Sequence, residues 1–143
     1  MPSDFALRTM NSVHRLLVGL TRGRVGHEFG GMPVVELTTT GRKSGQPRTV
    51  LLTAPLRDGE GYVVVASRGG DDRHPAWFLN LREHPEVEVA IKGGERRPML
   101  ARIASAEERA RMWPQIAGRY RNYASYQKRT EREIPLVVLE ERG

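Results

Sequence analysis

The sequence predicts an α+β fold, in which a mostly antiparallel β-sheet curls into a barrel and helices pack on its outside. Segments with strand patterns follow one another in pairs around glycine-rich turns, and helical segments occur before, between and after these pairs. A regular alternation of strands and helices, which a parallel doubly wound sheet requires, is missing. The chain has 143 residues, a one-domain length, so residues 1–143 are predicted to form a single domain.

The first predicted element is an amphipathic helix over residues 4–20, appended to the barrel. Its apolar side chains recur at helical spacing, and two glycines follow its end. Packing against the barrel is one use for this helix. Contact with a membrane surface, or a roof over a substrate pocket, is the other. The cations Arg8, Arg15, Arg22 and Arg24 favour an anionic surface, so we expect weak peripheral membrane association of a cytoplasmic protein.

Strand patterns occupy most of the chain between residues 32 and 68. The run "MPVVELTTTG" predicts one strand, and "RTVLLTAPLRDGEGYVVVASR" predicts two strands around the turn at residues 58–61. The run "GGDDRHP" is typical of a loop, and "AWFLNLREHP" predicts a short helix that ends before Pro85.

The second half of the chain begins with a predicted hairpin, "EVEVAIKGGERRPMLARI", with Gly93 and Gly94 at its tip. Ser105 and Glu108 have the spacing of a capping box, which predicts the start of the next helix. Pro114 is predicted to break or restart that helix. A tyrosine-rich segment follows, and "IPLVVLE" predicts a final strand.

Composition excludes several classes of function. The absence of cysteine excludes disulfide, thiolate and cysteine–zinc chemistry. The four histidines show no paired-ligand spacing, so no metal site is predicted. A net charge of +6 indicates an anionic partner. Aromatic residues make up only 6% of the chain and do not alternate with the basic run, which argues against a nucleic-acid partner.

The run "TTTGRKSGQPRT", residues 38–49, combines hydroxyls, glycines and cations between two apolar segments. It lacks the glycine spacing of a P-loop. One interpretation is a solvated hairpin tip. The other is an anion cradle, in which N–H groups freed by Gly41 and Gly45 and the Ser44 hydroxyl would bind phosphate or carboxylate oxygens together with the flanking cations.

A second informative run is "VVVASRGGDDRHPAWFLNLREHP", residues 63–85. Small residues at the end of its strand would let a flat ligand approach the backbone closely. Periodicity alone favours a plain core role for Trp77 and Phe78 on the helix that follows.

Five runs together resemble the deazaflavin-dependent nitroreductase family of split-β-barrel flavin/deazaflavin oxidoreductases. They are "ELTTTGRKSGQPR", "VVVASRGG", "HPAWFLNLREHPEVEV", "EERARMWPQ" and "YRNYASYQKRTEREIPLVVLE", in this order from about residue 34 to the C-terminus. The resemblance implies a split barrel that binds coenzyme F-420, a deazaflavin whose tail carries a phosphate and several glutamates. It also implies hydride transfer to a small-molecule acceptor such as a quinone, a nitro-aromatic or an enone.

The resemblance further implies roles for particular residues. Phosphate and tail contacts fall on Arg42, Lys43, Ser44 and Arg48, and a cofactor-lining strand on Thr49, Val50, Leu51, Leu52 and Thr53. The strand end beside the deazaflavin ring falls on Val65, Ala66, Ser67 and Arg68, and the helix over the cofactor on Ala76, Trp77, Phe78, Leu79 and Asn80. Substrate contacts fall on Tyr120, Tyr123 and Tyr126.

Two of these residues are the candidates for chemistry. Ser67 is predicted to donate a hydrogen bond to the ring or the acceptor, and Tyr123 to act as a second donor or proton source. Thr53 departs from the family pattern, because the quinone- and nitroimidazole-reducing type has a bulky tyrosine there. Two alternatives stay open: an FMN-dependent oxidoreductase on the same fold, and a non-catalytic protein that binds the cofactor.

Overall fold

The computed structural model describes residues 28–141, and in this part of the chain a curled antiparallel sheet is flanked by helices. The strands are β1 (Glu28–Phe29), β2 (Met32–Thr40), β3 (Pro47–Thr53), β4 (Leu56–Asp58), β5 (Gly61–Val65), β6 (Glu86–Ile91), β7 (Arg97–Ile103) and β8 (Leu136–Glu141). The helices are α1 (Ala76–Glu83), α2 (Ala106–Arg119) and α3 (Arg121–Lys128), with a 3-10 turn at Arg68–Gly70. The predicted helix over residues 4–20 lies outside the described residues.

The sheet has the strand order β3-β2-β6-β7-β8-β5-β4, and β1 pairs with the start of β2. Every ladder is antiparallel. β3 and β4 are neighbours in the chain but lie at opposite edges of the sheet, and in residues 28–141 no ladder joins them. The curled sheet is therefore a half-barrel, and its opening lies between these two edges. The prediction of a mostly antiparallel split barrel with helices outside is confirmed.

The antiparallel register divides the connections between two ends of the barrel. The loop after β2 (residues 41–46) and the segment after β5 (residues 66–75) lie at one end, which we call the glycine-loop end. The β4–β5 turn and the β6–β7 turn lie at the other, which we call the hairpin end. α1 connects β5 to β6 and therefore also lies at the glycine-loop end.

Two hydrophobic clusters hold the layers together. The barrel interior contains alternate side chains of the central strands together with three side chains of α1, Trp77, Phe78 and Leu81. The second cluster packs α2 and α3 against the outer faces of β5 and β8. β8 supplies Val137 and Leu139 to the first cluster and Leu136 and Val138 to the second, which explains why its sequence is continuously apolar.

Two sequence predictions about the elements are corrected. The run over residues 48–68 forms three strands, since Ala54 and Pro55 interrupt it, and proline has no N–H group for a ladder. Pro114 does not break its helix, because α2 is continuous from Ala106 to Arg119 with Pro114 inside it. The break comes at Tyr120, whose φ of −126° and ψ of 96° are extended and separate α2 from α3.

Candidate functional site

The loop over residues 41–46, which we call the RKS loop, is closed by its own hydrogen bonds. The Gly41 N–H donates to the Gln46 carbonyl at 2.8 Å, and the Gly45 N–H donates to the Gly41 carbonyl at 2.8 Å. Gly45 has a φ of +71°, which favours glycine. The expectation that Gly41 and Gly45 leave N–H groups free for an anion is therefore wrong, because both groups close the turn.

Ser44 contributes to the same turn. Its Oγ accepts from the Gln46 N–H at 3.1 Å and lies 3.5 Å from Arg48 Nη2. A Cβ at position 41 would lie 2.6 Å from this oxygen, so a larger residue there would have to displace the Ser44 hydroxyl. The Ser44 hydroxyl shapes the loop and keeps its own proton for a further acceptor.

Three cations surround the RKS loop: Arg42, Lys43 and Arg48. In the described part of the chain none of the three pairs with a carboxylate. Lys43 and Arg48 are exposed. Arginines elsewhere in the barrel do pair with carboxylates, such as Arg97 with Glu141 and Arg102 with Glu140. The loop therefore presents uncompensated positive charge to solvent.

Asn80 on α1 fixes the RKS loop to the rest of the barrel. Its Oδ1 accepts from the Arg42 backbone N–H at 3.1 Å and from Arg42 Nη1 at 3.0 Å. Its Nδ2 donates to Thr39 Oγ1 at 3.1 Å, and the side chain is buried. The family resemblance implies that Asn80 lies beside the cofactor, and in the structure its side chain orients the cation Arg42.

β3 has two different faces. Val50 and Leu52 pack against the barrel interior. Thr49 and Thr53 point the other way, and Thr49 Oγ1 lies 2.9 Å from Thr38 Oγ1 on the neighbouring strand. Among residues 28–141, β3 pairs with β2 alone, so its second edge is open to a ligand.

The segment over residues 66–72, which we call the Ser67 loop, has an unusual backbone. Ser67 is in the right-handed helical region, and the next three residues have positive φ: 47° at Arg68, 65° at Gly69 and 85° at Gly70. A right-handed residue followed by a left-handed one turns successive N–H groups to one side, which is a common anion-binding arrangement. Within residues 28–141, the N–H groups of Ser67 and Gly69 have no acceptor.

The Ser67 side chain lies at the start of this turn, next to the N–H groups without an acceptor. It is 8% exposed and makes no capping hydrogen bond to the turn that follows. Bonding to a neighbouring backbone group, the ordinary role for such a serine, is therefore not what this hydroxyl does. Arg68 instead turns its guanidinium to the buried carboxylate of Asp71, at 2.8 Å.

Arg132 holds the Ser67 loop from the segment before β8. Its guanidinium donates to the carbonyls of Ala66, Ser67 and Asp71 at 3.2, 2.9 and 2.8 Å. Its Nη1 lies 3.1 Å from Nδ1 of His74. Sequence reasoning missed Arg132, because a charged residue in "TEREIP" carries no local signal of a partner more than fifty residues away.

α1 contributes less to the surface than its sequence suggested. Trp77 and Phe78 are 7% and 3% exposed and belong to the barrel interior, which agrees with their interpretation as core. Ala76 is exposed and Leu79 is half-buried. The Phe78 ring also packs against His74, with ring centroids 4.7 Å apart.

The three tyrosines form a row on the α2–α3 segment. Tyr123 packs edge-on against Tyr120 and Tyr126, with centroid distances of 6.3 and 6.0 Å. Its hydroxyl lies 3.1 Å from Thr53 Oγ1 and 3.7 Å from Met32 Sδ. Burial raises the pKa of Tyr123, partly offset by the Thr53 hydrogen bond. The hydroxyl therefore stays protonated at neutral pH and links α3 to the end of β3.

The Ser67 loop and the tyrosine row are in direct contact. A Cβ at Gly70 would lie 2.7 Å from the carbonyl oxygen of Tyr126, so the loop backbone sits against α3. The structure thus joins the RKS loop, α1 and the Ser67 loop at the glycine-loop end, and the tyrosines connect this end to the open edge of β3.

An open basin of about 550 Å³ lies at the hairpin end of the barrel, away from these residues. Its lining includes the carboxylates of Glu60, Glu95 and Glu141. Of its arginines, Arg57 donates to the carbonyls of Glu60 and Gly61, and Arg97 pairs with Glu141. These carboxylates disfavour a polyanionic ligand, so the candidate site is the glycine-loop end and not the basin.

In residues 28–141 no cluster of three or more histidine and acidic side chains has the geometry of a metal site. The helices in this range are too short or too polar to cross a membrane.

Comparison with known proteins identifies relatives along nearly the whole chain. Residues 9–141 match the model of a family described as "F420H(2)-dependent quinone reductase". An F420H(2)-dependent quinone reductase of Mycobacterium tuberculosis is 42% identical over 134 residues, which cover 91% of this chain and 89% of that protein.

Two solved structures are also similar. An F420-H2 dependent reductase is 40% identical, has a TM-score of 0.65, and is matched over 76% of this chain and 94% of its own. A protein described as a domain-swapped dimer is 36% identical, has a TM-score of 0.67, and is matched over 93% of this chain and 97% of its own.

Proposed function

The chain belongs to the F420H(2)-dependent quinone reductase family, and from this premise we propose where it holds its cofactor and its acceptor. It is an oxidoreductase whose cofactor is coenzyme F-420 and whose acceptor is a quinone. When bound, reduced F-420 supplies a hydride to the acceptor. The protein supplies binding, orientation and exclusion of water.

The tail of the cofactor is assigned to the RKS loop. The observation that carries this assignment is the set of cations, Arg42, Lys43 and Arg48, that no carboxylate in the described residues compensates. A phosphate and several glutamates need such cations, and charge-assisted hydrogen bonds to them are stronger than neutral ones. Asn80 holds Arg42 in place, so part of this positive charge is oriented before the ligand binds.

The ring of the cofactor is assigned to the Ser67 loop. The Ser67 hydroxyl and the backbone N–H groups beside it are donors, and a deazaflavin ring system carries carbonyl oxygens and nitrogens that accept hydrogen bonds. Gly69 has no side chain to prevent close approach, and a Cβ there would meet no atom within 4 Å. Thr49, Thr53 and the exposed Ala76 lie on the open β3 edge and at the start of α1, where they would line the remaining sides.

The acceptor is assigned to the side of the tyrosine row. Tyr123 keeps its proton at neutral pH, so its hydroxyl can donate a hydrogen bond to a carbonyl oxygen that gains negative charge. Thr53 holds that hydroxyl and is small, which leaves more room than a tyrosine at position 53 would leave. We propose that nitro-aromatic compounds fit the same space as a second class of acceptor.

Titration with F-420, with FMN in parallel, tests this proposal. Protein fluorescence and the cofactor absorbance should report tight binding of F-420 and weak binding of FMN, since FMN has one phosphate and no glutamate tail for the cations. Comparable affinity for FMN would favour the FMN-dependent alternative. F-420 binding without turnover of menadione or of a nitro-aromatic compound would favour a non-catalytic protein.

We also propose weak, salt-sensitive association of residues 4–20 with anionic membranes, with the barrel in the cytoplasm. The four arginines between residues 8 and 24 support this, each worth on the order of 1 kcal/mol near acidic lipid. A lipid-soluble quinone would make that location useful.

A further inference from the structure

We propose that Arg132 is the positioning residue that sets the Ser67 loop in its ligand-binding shape, and that protonation of His74 loosens this hold. The inference rests on the proposed role of the Ser67 loop as the binding place of the cofactor ring. Arg132 itself is half-buried behind the loop and is not assigned any contact with the cofactor or the acceptor.

The geometry of Arg132 is that of a clamp. One guanidinium reaches three backbone carbonyls of the same loop, those of Ala66, Ser67 and Asp71, and the ring nitrogen of His74. All four acceptors are uncharged, so these contacts are hydrogen bonds and not ion pairs. The guanidinium can make them because its N–H groups point in fixed, different directions. A lysine ammonium in the same place would have one nitrogen and could not serve acceptors spread over residues 66–74.

The clamp determines where the donors of the loop point. In a planar trans peptide the C=O and the following N–H point in opposite directions. Because Arg132 binds the carbonyl of Ala66, the N–H group of the next residue, Ser67, is turned to the opposite side of the loop. This is the side on which the Ser67 loop would meet a ligand.

Neighbouring contacts hold other parts of the loop but not the carbonyls of Ala66 and Ser67. Thr130 Oγ1 donates to Asp72 Oδ1 at 2.8 Å, and Arg129 Nη1 donates to the Gly69 carbonyl at 3.3 Å. The Ser67 carbonyl also accepts from the Gly70 N–H at 2.9 Å, inside the turn. From outside the loop, Arg132 is the residue whose side chain binds the Ala66 and Ser67 carbonyls in the described structure.

His74 makes the clamp sensitive to pH. A guanidinium has donors only, so His74 Nδ1 must accept, and the imidazole must be neutral with its proton on Nε2. A protonated ring would place a second cation 3.1 Å from Arg132 Nη1. Burial lowers the pKa of His74, and the cations Arg132 and Arg82 lower it further.

The other charged groups near this contact are engaged elsewhere. Asp71 binds Arg68 and Arg73, and the Asp72 carboxylate accepts from Thr130. Since the folded-state pKa lies below the ordinary 6.5, the neutral ring and its bond to Arg132 are present at neutral pH and are lost as the pH falls through a value below 6.5.

The first test replaces Arg132 with lysine and measures the F-420 dissociation constant by fluorescence at pH 7.5. We expect Arg132→Lys to bind F-420 about tenfold more weakly, the loss that one charge-assisted hydrogen bond produces. The matched control is Arg97→Lys at the hairpin end, which should bind like the wild type. A dissociation constant for Arg132→Lys within twofold of the wild type, in a folded protein, overturns the proposal.

The second test leaves Arg132 unchanged. It therefore tests the proposal even if the Arg132→Lys variant does not fold. Asn at position 74 can accept from Arg132 at every pH. We expect the wild type to lose F-420 affinity as the pH falls below 6.5, and His74→Asn to lose less over the same range. His84→Asn, a change of an exposed histidine directly after α1, should follow the wild type.

Ionisable groups of F-420 titrate equally in all of these proteins, so only the difference between variants counts. Coincident pH profiles for the wild type and His74→Asn overturn the pH part of the inference. A wild type that binds no F-420 at pH 7.5 defeats the proposed function itself, which is a different result from a wild type and an Arg132→Lys variant that bind it equally.

Discussion

At the scale of single residues, the site depends on side chains that orient other side chains. Asn80 is one of them: a buried amide that accepts twice from Arg42 and donates to Thr39. Leaving the buried Asn80 amide without these partners would lower the stability of the fold by about 1–3 kcal/mol. The hydrogen bonds therefore fix α1 and the RKS loop relative to each other. Arg42, one of the cations that would contact the cofactor, is therefore placed by a neutral residue.

Lys43 is expected to contribute affinity without contributing stability. It is exposed and in the described residues has no carboxylate partner, so Lys43→Ala should leave the melting temperature unchanged. F-420 with a long glutamate tail should bind about two- to fivefold more weakly, the usual size of an exposed charge pair, while an analogue without the glutamates should lose less. Isothermal titration with both ligands measures this difference.

Arg97→Ala removes an equal charge at the hairpin end and serves as the control for long-range electrostatics. If the two ligands lose the same affinity in Lys43→Ala, or if Arg97→Ala has the same effect, Lys43 does not contact the tail.

Tyr123→Phe is expected to separate binding of the cofactor from reduction of the acceptor. The hydroxyl is buried against Thr53 and Met32, so its removal should destabilise the fold by about 0.5–1.5 kcal/mol. F-420 affinity should stay the same and the rate of quinone reduction should fall. Urea denaturation and stopped-flow reduction of menadione measure the two effects.

Thr53→Val removes the other partner of the same hydrogen bond. We expect Thr53→Val to lower the free energy of unfolding by a similar amount. The double variant should lose less than the sum of the two single variants, because both changes remove the same hydrogen bond. Unchanged turnover in Tyr123→Phe would show that the hydroxyl is structural only.

At the scale of elements, α2 begins with a complete capping box. Ser105 Oγ accepts from the Glu108 N–H at 3.2 Å, and Glu108 Oε1 accepts from the Ser105 N–H at 2.9 Å and also contacts Arg102 on β7. The hydrogen bond from the Ser105 backbone and that from Arg102 lower the pKa of Glu108 to about 2. The helix start is thereby attached to the sheet.

This attachment predicts part of the acid sensitivity of the fold. A carboxylate with a depressed pKa stabilises the folded state above its ordinary value of 4.5, and that contribution is lost as the pH falls toward about 2. Glu108→Gln should therefore lower stability at pH 7 by about 0.5–1 kcal/mol and reduce the further loss at acidic pH. Urea midpoints at neutral and acidic pH measure this.

Glu107→Gln is the control for Glu108→Gln, because Glu107 is in the same first turn but outside the box. Equal pH dependence in both variants would mean that the pairing with Arg102 adds nothing.

The capping box was readable from the sequence because its signal is local, a serine followed three residues later by a glutamate. Pro114 was misread because a helix inside a protein can lose one backbone hydrogen bond when its apolar face is buried, and Met112 and Ile116 are fully buried. The run over residues 48–68 divides into three strands because β3 joins one edge of the sheet, whereas β4 and β5 join the other. This pairing depends on strands far away in the sequence, so the local pattern could not reveal it.

At the scale of the whole molecule, the sequence predicted the half-barrel but not which loops share an end. The RKS loop and the Ser67 loop could each be recognised from composition. That they meet α1 at one end follows from strand order, in which β2 and β5 are four positions apart in the sheet. The role of Arg132 could not be read at all, because it appears only when the segment before β8 is placed behind the Ser67 loop.

Deleting residues 1–22 is expected to separate the barrel from its proposed membrane contact. We expect the truncated protein to bind F-420 like the full chain, because the RKS loop and the Ser67 loop, to which the cofactor is assigned, both lie within residues 28–141. Co-sedimentation with anionic liposomes and activity on long-chain quinones should fall, while activity on menadione should not. Neutral liposomes are the control.

Loss of folding on truncation would mean that residues 4–20 are part of the core. Unchanged co-sedimentation in the truncated protein would contradict the proposed contact with membranes.

The hold on the Ser67 loop also has a consequence for the order in which the protein assembles. The hydrogen bonds from Thr130 and Arg132 to the loop and to His74 join residues 58 to 66 positions apart in the sequence. Contacts that close such long segments form late, since the entropy of the intervening chain must be lost first. During synthesis, a chain that has emerged only to residue 128 would already contain both glycine-rich loops. We expect it to acquire affinity for F-420 only after residues 129–141, which include Thr130, Arg132 and β8, have followed.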